Sequence, residues 1–179
     1  MTTDKHTAVV GVDPGLGGFL TLIVDGPSFH IDFHRMPVVT SERGKGKTRL
    51  DVASLASLFR EWAATYDVRL VAVEKQGVHP GQGCVSAATI GFGFGALCGI
   101  CSALGLPLMT PTPQSWQQEM FAGVSGSDPK ARSILAAGAL FPLVDLRATE
   151  NCRTPHDGKS DSLLLAAWGL RKLRGSIDA

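Results

Sequence analysis

Four carboxylates stand where acids do little for a fold. Asp13 closes the apolar run that begins at Ala8, Glu74 closes the run Arg69 to Glu74, and Asp157 and Asp161 open a helical stretch. Leu70, Val71, Ala72 and Val73 offer no structural reason for an acid at the end of their strand. Acids at the ends of neighbouring strands share one crevice, and the i, i+4 spacing puts Asp157 and Asp161 on one helix face. Taken singly, each has an ordinary explanation. Asp13 precedes Pro-Gly and suits a turn, Glu74 can accompany Lys75 at the surface, and the last pair suits the positive end of a helix dipole. Taken together, four negative groups repel one another unless cations lie between them, and an all-oxygen donor set suits Mg²⁺, with Mn²⁺ as its substitute. The matching chemistry is two-metal phosphodiester hydrolysis, in which one ion activates a water and the other stabilises the departing oxygen. His156, next to Asp157, is a candidate to position that water or the phosphate, and equally a cap or surface group.

The elements that must position these acids follow from patterning. Ala8 to Asp13 and Gly18 to Val24 form a hairpin around PGLGG, and Ser28 to Met36 gives a third strand through the alternation of Phe29, Ile31 and Phe33. Pro37 to Arg49 reads as a polar, basic loop. Asp51 caps a helix carrying Val52, Leu55, Leu58, Phe59 and Trp62 at helical period, and the strand ending in Glu74 follows beside the first. Leu106 to Thr110 is a last short strand. Helix before buried strand is the order of α/β packing, so the expected fold is α/β, a central mixed five-stranded sheet flanked by helices. Further helices start after Thr112 and after Ser127 or Asp128, the latter running to Leu140. Phe141 to Pro155 is irregular, and Asp157 to Leu173 is the final helix.

Ser86 to Leu104 is a helix of poor propensity whose Ala88, Gly91, Gly95, Gly99 and Ala103 leave one face nearly bare. A glycine in a helix costs about 1 kcal/mol relative to alanine, so this face needs a close partner. A twofold dimer interface is the expected one, and packing within one subunit the alternative.

The 179 residues suit one compact domain spanning 1–179, and 44% hydrophobic with 18% charged residues excludes a disordered chain. A net charge of +1 from 17 basic and 16 acidic residues does not by itself announce a nucleic-acid binder. The distribution says more: Arg43, Lys45, Lys47 and Arg49 cluster, as do Arg171, Lys172 and Arg174. Such clusters are commonly solvated surface. As phosphate contacts near a cleaving centre, Lys45, Lys47, Arg49, Lys75 and Lys130 are the candidates. No uninterrupted apolar run of about 18 residues exists to span a bilayer and the start is polar, so a cytoplasmic protein without a membrane partner is expected. Four cysteines are no disulfide scaffold, and the Cys98, Cys101 pair lies in a packed helix rather than a zinc loop.

GVDPGLGG at 11–18, VEKQGVHPGQG at 73–83, IGFGFGALCG at 90–99 and HDGKSDSLLLAAWG at 156–169 together resemble the motifs of RuvC-like Holliday junction resolvases, above all phage, bacterial and chloroplast forms. The likeness runs from Val9 to about Gly169. It implies a ribonuclease H-like fold and a homodimer that nicks two opposed strands of a four-way DNA junction with divalent metal. It maps the family's acids onto Asp13, Glu74, Asp157 and Asp161. Lys75, Gln76 and the loop from His79 to Gly83, with Gln82, match the part lying against DNA. One departure is that Gln117 and Gln118 follow Trp116 where the family often has a basic residue. The host compartment implied is a bacterial or phage-infected cell, with an organelle also open.

Two other readings use the same residues. DPGLGG also suits the phosphate turn of an actin-like ATPase or sugar kinase, but those proteins generally need two such domains to enclose a nucleotide. A catalytically silent branched-DNA-binding protein is the alternative from another class, and the four acids in register argue against it.

Overall fold

A computed structural model describes residues 5–27, 29–40, 48–77 and 81–177. Lys45, Lys47 and His79 lie outside them. In chain order the elements are β1 (Thr7–Val12), β2 (Phe19–Asp25), β3 (His30–Arg35), β4 (Val38–Thr40), β5 (Thr48–Leu50), α1 (Val52–Thr65), β6 (Asp67–Val73), α2 (Cys84–Ala103), β7 (Leu108–Met109), α3 (Pro113–Met120), α4 (Pro129–Leu140) and α5 (Asp157–Ile177).

The main sheet is mixed and five-stranded, in the order β3-β2-β1-β6-β7. β1, β2 and β3 form the expected antiparallel meander, while β6 and β7 join in parallel. β1 and β6 are apolar almost throughout because both their faces are covered. Leu20, Leu22, Val24, Val71 and Val73 face α1 and α2; Ile23 and Ala72 face the helices of the other layer, with Leu163 to Trp168 of α5. That period of two divides the core into two layers, one on each side of the sheet.

Helix starts follow their caps. Asp51 accepts from the Ser54 amide at 3.1 Å, Thr112 caps α3, and Asp128 accepts from Lys130 and Ala131 ahead of α4. Pro37 to Arg49 is not wholly a loop: β4 and β5 pair antiparallel as a two-stranded ribbon at its flanks. Strands of three residues are too short for alternation to reveal them. The third strand starts later than expected, leaving Phe29 before it and 53% exposed, and α5 runs on past Leu173.

α5 lies directly on β1. A Cβ at Gly11 would sit 2.1 Å from the Ser162 carbonyl oxygen and 2.3 Å from the Ala166 nitrogen, so only glycine permits this approach. Gly169 serves likewise against Val9, and the buried hydroxyls of Thr21 and Ser162 meet at 2.7 Å. α2 packs Gly93, Leu97 and Cys101 inward, flanks them with half-buried Phe94, Ala96 and Ile100, and leaves Gly91, Phe92, Gly95 and Gly99 exposed. By length and composition it could cross a membrane; serines, threonine and glycines break its apolar run, which is why the sequence gives no uninterrupted span.

Candidate active site

β1 and β6 run parallel with Val12 beside Val73, so the residues that follow them, Asp13 and Glu74, emerge at the same sheet edge. The Glu74 amide continues the ladder, donating to the Val12 carbonyl at 3.1 Å. The tight turn after Asp13 closes with Gly18 N–H on the Gly15 carbonyl at 2.9 Å. α5 then brings its first turns over this edge. A Cβ at Gly158 would stand 2.5 Å from Asp13 Oδ2, and one at Gly18 2.8 Å from the same oxygen. The Asp13 carboxyl is thus wedged between two glycines, one on each side of the turn-helix contact.

The four acids fall within one electrostatic neighbourhood. Burial, joined by the charges of Asp13, Glu74 and Asp157 and opposed by a hydrogen bond from Ser133, pushes the Asp161 carboxyl up to about 7. Burial likewise raises Asp13, with the Asp157 charge adding to it, and raises Glu74, with the Asp13 charge adding to it. Asp157 moves the other way, because Lys130 hydrogen-bonds it.

Each carboxylate is held by a different protein donor. The Gly15 amide lies 3.3 Å from Asp13 Oδ1, Trp116 Nε1 donates to Glu74 Oε1 at 3.0 Å, and Lys130 Nζ reaches Asp157 Oδ2 at 2.6 Å. The Ser133 hydroxyl donates to Asp161 Oδ1 in a short contact. Among the described residues no group of three or more His, Cys, Asp or Glu is arranged to hold a metal ion; the acids are satisfied one by one instead. Their chemistry nevertheless fits a hard divalent cation: all donors are oxygen, and burial with mutual repulsion leaves a deficit of positive charge.

The His156 ring meets Phe19 at a tilt of 58°, centroids 5.1 Å apart, and the Arg35 guanidinium lies 5.5 Å from the Phe19 centroid. The buried Nδ1 of His156 makes no hydrogen bond and lies 3.7 Å from Asp157 Oδ1. Beside Glu74 opens a cavity of about 450 Å³ lined by Lys75, Gln76, Gln82, Thr112 and Gln114. The structure therefore gathers three of the expected DNA-facing residues, Lys75, Gln76 and Gln82, next to an acid. Arg49 sits exposed on β5. Lys130, expected to face DNA, is engaged by Asp157.

Ser133, Trp116 and Gly158 escaped sequence reasoning. A serine three residues after Lys130 shares its helix face, and that spacing was the available signal for Ser133, which is 1% exposed. Nothing in the sequence singles out Trp116 as a partner of Glu74.

No family model matches the chain. The chloroplastic Holliday junction resolvase MOC1 of Chlamydomonas reinhardtii is 31% identical over 100 residues, 55% of this chain but 10% of that protein, so the chain spans about a tenth of its relative's length. Among solved structures, T. thermophilus RuvC in complex with a Holliday junction substrate aligns with a TM-score of 0.64 and 17% identity over 96% of this chain and 97% of that one. The yeast mitochondrial Holliday junction resolvase Ydc2 aligns with a TM-score of 0.56 and 14% identity over 94% of this chain and 79% of that one. At these identities the likeness is one of fold, and the fold is the α/β, ribonuclease H-like one of the RuvC resolvases.

Proposed function

We propose that this chain is a divalent-metal-dependent endodeoxyribonuclease that resolves four-way DNA junctions, a single nuclease domain acting as a homodimer that nicks two opposed strands symmetrically. The observation that carries the proposal is the gathering of Asp13, Glu74, Asp157 and Asp161 at one sheet edge of a fold shared with RuvC over 96% of the chain.

The four carboxylates are the residues to hold Mg²⁺, or Mn²⁺ in its place, which when bound supplies an activated water and positive charge for the departing oxygen. Strand ends fix Asp13 and Glu74, and α5 delivers Asp157 and Asp161. Ser133 and Trp116 each take one oxygen of Asp161 and Glu74, setting carboxylate orientation while leaving the second oxygen for a cation. His156, with an unpartnered Nδ1, is the group to hold a water or a phosphate oxygen. Lys75, Gln76 and Gln82 carry the DNA alongside Glu74, with Arg49, Lys45, Lys47 and Lys130 as further backbone contacts. The open face of α2, where Phe92 is 59% exposed, joins two copies so that two sites address two strands. Such a protein belongs in the cytoplasm of a bacterial or phage-infected cell; the chloroplastic relative makes an organelle the alternative.

A silent branched-DNA-binding protein is the second reading, favoured by the way protein donors already satisfy each acid. Purified protein with Mg²⁺, offered a mobile four-way junction, a replication fork, a flap and linear duplex, should nick the junction in symmetrical pairs. Asp13→Asn or Asp161→Asn should abolish nicking and leave junction binding largely intact. Binding without nicking by the wild type, in Mg²⁺ or Mn²⁺, would establish the silent reading, and near-normal nicking by either variant would remove the acids from the chemistry.

A further inference from the structure

Of the donors that hold the four carboxylates, those on Asp13, Glu74 and Asp161 are neutral: a backbone amide, an indole and a hydroxyl. Lys130 brings a full charge. It stands in the first turn of α4, fixed there by Pro129 and by Asp128, which caps the helix and accepts from the Lys130 amide at 3.2 Å. From that anchor the stem leaves a side chain 75% exposed and carries Nζ to 2.6 Å from Asp157 Oδ2. Asp157 lies at the rim of the acid cluster, its side chain 32% exposed, whereas Asp161 is more deeply set and held by buried Ser133. The ammonium also lies in the field of Asp161. A lysine ammonium and a divalent ion seek the same carboxylate lone pairs, the ion at roughly 2.0–2.1 Å, and one oxygen lobe does not serve both.

We propose that Lys130 is a built-in counter-cation of the metal-free site: its ammonium occupies Asp157 until a divalent ion arrives, and it leaves that oxygen when the ion binds. The proposal rests on the reading of the four acids as a metal site. Metal entry and release of Lys130 are then one coupled event. The coupling also reconciles the observed pair with a DNA-contacting lysine, because the released ammonium becomes available to a phosphate oxygen only once the site is loaded.

The test is calorimetric titration of Mn²⁺ into DNA-free, metal-stripped protein, comparing wild type with Lys130→Gln, Lys130→Arg and Lys75→Gln, beside thermal melts in EDTA. Lys130→Gln should bind Mn²⁺ roughly three- to tenfold more tightly, since the competitor is gone. Lys130→Arg should stay close to wild type, and Lys75→Gln should gain clearly less. In EDTA, Lys130→Gln should melt roughly 1–3 °C lower, its acids having lost their counter-charge. An unchanged or weaker affinity for Lys130→Gln overturns the proposal. So does an equal gain from Lys75→Gln, which would make the effect one of diffuse charge. Binding of Mn²⁺ by no variant, wild type included, would instead remove the metal-site reading itself and this coupling with it.

Discussion

The seam between β1 and α5 and the outer face of α2 both depend on glycine, in opposite ways. At the seam four glycines are pressed: Gly11 against α5 backbone, Gly169 against Val9 and Leu70, and Gly18 and Gly158 against Asp13. Along α2, a Cβ at Gly91, Gly95 or Gly99 would meet nothing within 4 Å. The seam recovers the helix penalty of its glycines as close packing and as the geometry of the acids. Gly91, Gly95 and Gly99 of α2 cost about 1 kcal/mol each with no close contact in return within the chain, which is the physical support for a partner copy on that face.

The hardest way to break this contrast is Gly11→Val. Its side chain would collide with backbone that can yield only by lifting α5, so unfolding by urea should show a loss of about 3 kcal/mol or more. A midpoint like that of the wild type would mean the seam is looser than the structure has it. Gly158→Ala is gentler, because the atom in its way, Asp13 Oδ2, ends a movable side chain. Here the fold should survive within about 1 kcal/mol, while junction nicking falls on the order of 100-fold as the carboxylate is displaced. Equal loss of stability and rate would show that Gly158 serves packing alone.

The seam also holds the acids, whereas α2 has no carboxylate, and pH separates the two. Asp161, at about 7 when folded against an ordinary value of 3.8, binds its proton more tightly in the native state. Its contribution is therefore fully present below about pH 4 and is lost as pH rises through about 7; Asp13 and Glu74, also raised, act with the same sign. Asp157, lowered by Lys130, opposes them below the ordinary carboxylate range. Melting temperature in EDTA should fall between about pH 4 and 7, less steeply in Asp161→Asn, and Mg²⁺ should lift the neutral end. A profile identical in wild type and variant would exclude Asp161 as its source. The mildest change is on the other side of the comparison. Gly95→Leu should leave monomer stability within about 1 kcal/mol yet convert a micromolar dimer to monomer in sedimentation, whereas a wild type that sediments as a monomer ends the interface proposal.

Much of the fold was legible because strands buried on two faces must be apolar throughout: Val9, Val10, Leu70 and Val71 announce β1 and β6, and the acid that closes each run stands out against them. Caps at Asp51, Thr112 and Asp128 marked helix starts for a similarly local reason. The ribbon of β4 and β5 was not legible, its strands being shorter than two alternations. Neither was the role of Gly11, since close approach of a helix backbone is a tertiary fact that leaves no local pattern. The glycines of α2 stand out in the sequence instead, because their repetition is itself a local pattern. At the site, the acids could be named from sequence, but the donors that hold them could not: a buried serine and an indole have many possible partners, and only the packing of α3 and α4 against α5 selects Asp161 and Glu74.

That α5 lies across β1, β2 and β6 has a consequence for the order in which the protein comes into being. In synthesis Asp13 and Glu74 precede α5, and Asp157 and Asp161 arrive only with that helix, roughly 10–30 s after Asp13 at ordinary elongation rates. Until then the sheet face bearing Ile23 and Ala72 has no cover, and the first two acids have neither of their helical partners. A nascent or C-terminally truncated chain therefore lacks half of the acid cluster.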